Sequence, residues 1–163
     1  MVFRRNRLLP SDYMLSGTLT ENPGSALLYA EPGCGKSTLA LKFAWQTQGA
    51  FDAVVFQLCG QRSVAEIAAE MARKLKLGLE TRPAEEQTAA KAWLAERRAL
   101  LVLDDIWEND VEALEPGPPV SMLCTSRRHT LPWISPAHSM LHKKQEALCM
   151  ELGNRPLALK VVC

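Results

Sequence analysis

The chain has 163 residues, a length that supports one domain with a real hydrophobic core. Its 19 basic and 18 acidic side chains leave a net charge of +1, so we expect no direct contact with nucleic acid. The longest strongly apolar run, residues 99–103, is far shorter than the ~20 residues of a membrane span, so no membrane partner is expected. Five scattered cysteines without metal-ligand spacing predict reduced thiols and, with the composition, a soluble cytoplasmic protein.

Apolar runs and helical patterns alternate along the first two thirds of the chain. A short helix is predicted around residues 13–19, and the first strand at residues 26–30. A glycine-rich loop and a helix follow over residues 31–48, with Gly49 as the expected C-cap. Residues 52–58 form the second apolar run and are predicted to be a buried parallel strand.

The next predicted helices have clear start signals. Ser63 and Glu66 have the spacing of a capping box, and the helix after them has an apolar stripe typical of a core-facing side. That stripe consists of Val64, Ile67, Met71 and Leu75. A further helix is expected after Pro83, with Glu85 and Glu86 in its first turn.

Two more strands complete the pattern. They are predicted at residues 99–103 and 120–125, and a short helix is predicted at residues 143–152. Strands that alternate with helices predict an α/β fold, with three layers built around a mostly parallel sheet.

Residues 30–38 fit the P-loop pattern A/G-x-x-x-x-G-K-S/T between the first strand and the first helix. In this context backbone N–H groups and a lysine can hold a phosphate at the helix N-terminus. The residues predicted to bind phosphates are Pro32, Gly33, Cys34, Gly35, Lys36, Ser37 and Thr38. The alternative is a tight strand-to-helix turn that binds no anion.

Asp104 and Asp105 follow an apolar strand, as the carboxylates of a Walker B strand do. Mg²⁺ prefers hard oxygen ligands and keeps several waters, so the Ser37 hydroxyl is predicted to bind this ion directly and Asp104 mostly through water. Successive strand residues point to opposite sides, so Asp105 is given a different role, the polarisation of an attacking water. The alternative is a pair of surface aspartates at the end of a strand.

Arg127 follows the fourth predicted strand at the same expected edge of the sheet. A guanidinium suits phosphate oxygens, so Arg127 is predicted to contact a γ-phosphate. A solvated arginine is the alternative. Together with Lys36 and Asp105, Arg127 completes the predicted catalytic set.

These motifs, in this order, resemble the NB-ARC branch of the STAND family of signalling ATPases. The strand and aspartate pair of residues 100–107, the sensor strand of residues 123–127 and the second strand of residues 51–56 carry the resemblance. Residues 153–159, Gly-Asn-Arg-Pro-Leu-Ala-Leu, are similar to the family's GLPL motif, which implies that Pro156 packs near the nucleotide base.

The resemblance implies a P-loop NTPase domain over residues 1–128. It also implies a partial helical (ARC1-like) lid subdomain over residues 129–163, shorter than the family's own. The implied function is an ATP/ADP-binding switch of signal transduction, with slow Mg²⁺-dependent ATP hydrolysis. Protein partners or self-assembly are expected through further domains that the family carries and this sequence lacks.

Other functions fit parts of the pattern. A non-hydrolysing or degenerate nucleotide-dependent interaction module would suit the short lid segment. An AAA+-like ATPase or a small-molecule kinase would also use the P-loop, although residues 129–150 offer little for a kinase acceptor site.

Overall fold

The computed structural model describes residues 19–77, 83–107 and 109–134. Four strands alternate with helices in these ranges, as the sequence pattern predicts. The strands are Ser25–Tyr29 (β1), Ala53–Gly60 (β2), Ala99–Ile106 (β3) and Ser121–Ser126 (β4). The helices are Lys36–Thr47 (α1), Val64–Lys74 (α2) and Pro83–Ala95 (α3), with short 3₁₀ turns at Gln48–Ala50 and Asn109–Leu114.

The four strands form one parallel sheet in the order β1-β4-β3-β2. The last of the described strands, β4, therefore lies between the strand that precedes the glycine loop and the strand that carries the aspartates. Tyr29 pairs with Ser126, and Ser126 pairs with Ile106, so the carboxyl ends of three neighbouring strands are level. Loops that leave these strands meet at one edge of the sheet.

Hydrophobic side chains cover both faces of the sheet, which confirms the three-layer α/β fold. Leu100 and Val102 of β3 belong to a core cluster that includes Phe43 of α1. Leu101 and Leu103, the alternate residues of the same strand, belong to a second cluster with α2 and α3. A strand buried on both faces must be apolar throughout, which explains its continuous run of Leu and Val.

The α2 helix begins with the predicted capping box. The Ser63 side chain accepts a hydrogen bond from the Glu66 N–H, and the Glu66 carboxylate accepts one from the Ser63 N–H at 2.9 Å. Ile67 and Met71 are buried, so the predicted apolar stripe does face the core. On another side of α2, Glu70 accepts hydrogen bonds from three donors.

Those donors are the side chains of Gln57, Arg62 and Lys74. They hold the pKa of Glu70 well below its ordinary value, at about 2, chiefly through Lys74 and then Arg62. Gln57 is fully buried on β2, and Lys74 satisfies its amide oxygen at 3.0 Å. The network joins α2 to the outer strand β2 of the described sheet.

Most element boundaries lie within two residues of the sequence prediction, and two further differences change the assignment of named residues. Gln48 is the C-cap of α1, and Gly49 lies within the 3₁₀ turn Gln48–Ala50 that follows, so the predicted C-cap at Gly49 is wrong. The chain continues in right-handed turns there, because Phe51 N–H bonds back to the Gln48 carbonyl. Strand β3 also extends three residues further than predicted, to Ile106, so the two aspartates lie within it. The predicted helix at residues 143–152 and nearly all of the predicted subdomain lie outside the described residues.

Burial governs the chemistry of two thiols. Desolvation raises the pKa of Cys59 to about 12 and that of Cys124 well above its ordinary value. Cys34 is half-buried in the glycine loop, and all three are free thiols. Within the described ranges, no helix is long and apolar enough to cross a membrane.

Candidate functional site

The glycine loop connects the end of β1 to the start of α1. Gly33 and Gly35 adopt φ values of 82° and 81°, which glycine reaches without strain. Gly35 is also the N-cap of α1, and no side chain caps this helix end. Because the first turn also has no acidic residue, its N–H groups face no protein carboxylate of that turn, and such a helix end attracts anions.

Lys36 folds back across the loop that it terminates. Its Nζ donates to the carbonyl oxygens of Ala30 at 2.8 Å and of Glu31 at 3.0 Å, and the residue is only 8% exposed. The ammonium group therefore lies against the start of the loop, and the Lys36 side chain connects the two ends of the turn. Phosphate oxygens near this amine would compete with two neutral carbonyls, and the ammonium group bonds more strongly to a charged acceptor than to a neutral one.

The other predicted phosphate ligands lie around the same turn. Pro32, Gly33, Gly35, Ser37 and Thr38 are exposed, and no atom lies within 4 Å of where a Cβ would stand on either glycine. This open surface leaves room for a ligand against the backbone of the loop. Pro156, the predicted contact for the base, lies outside the described residues.

The aspartate pair lies in an irregular part of the sheet. Between Leu103 and Ile106 the register of β3 against β4 shifts, so that Asp104 and Asp105 together oppose one residue, Thr125. This is a β-bulge, and Asp105 takes the left-handed φ of 57° within it. Aspartate tolerates that conformation better than most residues.

Thr125 supplies the hydrogen bonds that the bulge removes from the ladder. Its hydroxyl donates to Asp104 Oδ1 at 2.7 Å and accepts from the Asp105 N–H at 2.9 Å. Thr125 is fully buried and Asp104 is 6% exposed. One carboxylate oxygen of Asp104 is therefore oriented by a buried hydroxyl, and the backbone of Asp105 is held in place.

Asp105 has a different set of partners from Asp104. Its Oδ2 accepts a hydrogen bond from Trp107 Nε1 at 2.9 Å, and its Oδ1 lies 3.9 Å from Arg127 Nε. The Arg127 guanidinium carbon also lies 4.4 Å from the centre of the Trp107 ring, which is a cation–π contact. Asp105, Trp107 and Arg127 form a closed group that we call the Trp107 triangle.

The strand order brings the two sides of the site together. Neighbouring strands are about 4.8 Å apart, so the ends of β1 and β3 on either side of β4 are separated by about 10 Å. The glycine loop thus lies on one side, the aspartates on the other, and Arg127 leaves the strand between them. In the ranges that the structure describes, no group of three or more His, Cys, Asp and Glu side chains could hold a metal without other ligands.

Two residues of this edge received no role from the sequence. Thr125 was only part of the fourth strand, although a polar residue within a buried apolar run is a signal that could have identified it. Trp107 is only part of a motif in the sequence. No local pattern predicts that its ring contacts Arg127, 20 residues further along the chain.

A parallel sheet whose first strand enters a glycine loop and a lysine-led helix, with carboxylates two strands away, defines a P-loop NTPase. Within that class, the family model of the NB-ARC domain matches residues 14–150. The chain therefore belongs to the NB-ARC family of nucleotide-binding signalling ATPase domains, as the motif resemblance predicts. No curated protein matches the sequence.

Proposed function

We propose that this domain is an ATP/ADP switch that binds its nucleotide with Mg²⁺ and hydrolyses ATP slowly. The observation that carries the proposal is the convergence of the glycine loop, the aspartate pair and Arg127 at one sheet edge. Each group has the chemistry that one part of a magnesium nucleotide requires.

The phosphate grip is the first part. We assign the loop of residues 32–38 to the phosphates, with N–H groups of the first turn of α1 as donors. Lys36 would exchange the Ala30 and Glu31 carbonyls for β- and γ-phosphate oxygens. This exchange needs only a small movement of the Lys36 side chain, because its amine already lies against the loop. Cys34 and Thr38 belong to the same loop and are assigned to the same phosphates.

The residues of the chain also fit a magnesium ion. Ser37 is exposed at the start of α1, and Asp104 offers a carboxylate oxygen besides the one that Thr125 orients. These are hard oxygen ligands, and Mg²⁺ commonly takes one or two from protein beside phosphates and waters. When bound, the ion would neutralise charge on the phosphate oxygens.

Asp105 and Arg127 are the proposed catalytic and sensing groups, together with Lys36. Asp105 would polarise the attacking water, and Arg127 would contact the γ-phosphate and so distinguish ATP from ADP. Hydrolysis is expected to be slow, since P-loop switches turn over slowly until a partner supplies an arginine. Signalling would follow from the difference in contacts between the two nucleotides.

A non-hydrolysing switch is the second candidate, and one observation favours it. Both carboxylate oxygens of Asp105 face side-chain donors, Trp107 and Arg127, so neither faces only water. The remaining proposals rest on the family: an adenine base against Pro156, a boundary near residue 128, partners bound through further domains, and a cytoplasmic location.

A binding titration tests the proposal. ADP, ATP and GTP are titrated with and without Mg²⁺ into the wild type, Lys36→Ala and the matched control Lys42→Ala, which removes a lysine from the same helix. We expect tight adenine-nucleotide binding that Lys36→Ala abolishes and Lys42→Ala retains. Absence of binding to the folded wild type refutes the function, and binding of ATP without turnover selects the second candidate.

A further inference from the structure

The Trp107 triangle links two groups that the proposed function treats separately. The indole uses its edge to donate to Asp105, and it uses its face to support the Arg127 guanidinium. These two directions are perpendicular, so one ring can serve both partners at once. The 3.9 Å between Arg127 Nε and Asp105 Oδ1 is an ion pair too long for a hydrogen bond, so the ring face supports the arginine together with the carboxylate.

Hydrogen bonds fix the backbone at or beside Asp105 and Arg127. The side chain of Arg127 is partly exposed and can change its position. Asp105 is held through its N–H by Thr125. On either side of Arg127, the Ser126 hydroxyl donates to the Ile106 carbonyl at 2.8 Å and accepts from the Arg128 N–H at 3.0 Å. The Arg127 side chain itself is 48% exposed.

From this geometry we infer that Trp107 is a positioning residue that tunes the preference of the site for ATP over ADP. The ring holds the Arg127 guanidinium beside Asp105, and in this proposal a γ-phosphate draws the guanidinium away from the ring face. The stack therefore lowers the affinity for ATP and leaves that for ADP nearly unchanged. The inference rests on the proposed function, in which Arg127 contacts only the γ-phosphate.

The size of the effect follows from the strength of the stack. A partly exposed cation–π contact corresponds to a factor of about 5 in an equilibrium constant. Trp107→Leu removes the ring, so it is expected to raise the affinity ratio of ATP analogue to ADP about 5-fold. Trp107→Phe keeps a ring face and loses only the N–H donor, so its ratio is expected to stay near that of the wild type.

A double-mutant cycle tests the inference. ADP and the non-hydrolysable β,γ-imido analogue of ATP are titrated with Mg²⁺ into the wild type, Trp107→Leu, Trp107→Phe, Arg127→Gln and Trp107→Leu/Arg127→Gln. We expect the Leu variant to change the ratio only when Arg127 is present. An unchanged ratio, or the same change in the Arg127→Gln background, overturns the inference, because a general structural defect would not depend on the arginine.

A second measurement needs no nucleotide and separates this inference from the proposed function. The four tryptophans give four indole N–H signals in a ¹⁵N-correlated spectrum, and Trp107→Phe identifies one of them. That signal should shift in both Asp105→Asn and Arg127→Gln, whereas that of the exposed Trp45 should not. If it moves in neither variant, the inference is overturned. If it moves but the wild type binds no nucleotide, the proposed function fails, and with it the role in ATP preference.

Discussion

The hydroxyl of Thr125 supports both aspartates, and its removal is the sharpest test of how this edge of the sheet is built. Thr125→Val keeps the branched shape of the side chain and deletes only the hydrogen-bonding group. The Asp104 carboxylate then loses a donor at 2.7 Å, and the Asp105 N–H loses its acceptor at 2.9 Å. Both groups stay where the bulge holds them, away from the neighbouring ladder.

The expected loss can be worked out from these two bonds. A hydrogen bond to a charged group contributes about 1.5–3 kcal/mol and a neutral one about 0.5–1.5 kcal/mol, so Thr125→Val should cost about 2–4 kcal/mol. Thr125→Ser keeps the hydroxyl and removes one buried methyl group, which costs about 1 kcal/mol. Ser121→Ala deletes a buried hydroxyl of the same strand that donates only to the Leu19 carbonyl, and about 1 kcal/mol is expected again.

Urea unfolding at neutral pH, followed by circular dichroism, measures the three variants against the wild type. We expect the Thr125→Val variant to lose at least twice as much stability as the Thr125→Ser variant. A Val variant as stable as the Ser variant would show that the Thr125 hydroxyl does not support the aspartates. A Ser121→Ala loss as large as that of Thr125→Val would show that the charge of Asp104 contributes nothing special.

Three further predictions concern the loop, a thiol and the α2 network. Gly35→Ala should destabilise the fold by about 1–2 kcal/mol because Gly35 has a left-handed φ. Its control, Gly49→Ala, should be neutral or up to about 1 kcal/mol stabilising. Equal urea midpoints of the two variants would contradict this prediction. Iodoacetamide at pH 8 should alkylate Cys34 and spare Cys59, because Cys59 is buried and its pKa is about 12. Peptide mapping measures the labelling of each thiol, and equal labelling would refute this prediction. Because the pKa of Glu70 is lowered from 4.5 to about 2, its carboxylate stabilises the fold above pH 4.5, and this contribution is lost as the pH falls towards 2. Glu70→Gln should therefore cost about 1 kcal/mol at pH 7 and progressively less below pH 4.5 in urea unfolding, and a pH-independent difference would contradict the assignment.

The element types and the family could be predicted from the sequence because their signals are local. The glycine loop is read from nine consecutive residues, and the α2 helix from a capping box and one apolar stripe. The double burial of β3 is visible as a run without polar residues. The error at Gly49 has the same origin, since a glycine marks the end of a helix without deciding which turn follows it.

The strand order, the bulge and the partners of the aspartates were decided only by the tertiary structure. Asp104 meets Thr125 from 21 residues away, and Arg127 meets Trp107 from 20 residues away. Such contacts depend on which strands are neighbours and on a register that shifts by one residue within β3, and side-chain periodicity encodes neither. The sequence by itself determined that a glycine loop of P-loop pattern, a carboxylate pair and an arginine were present. Parallel strands place their carboxyl ends at one edge in any order, but only the placement of β4 between β1 and β3 decided that these three groups are neighbours there.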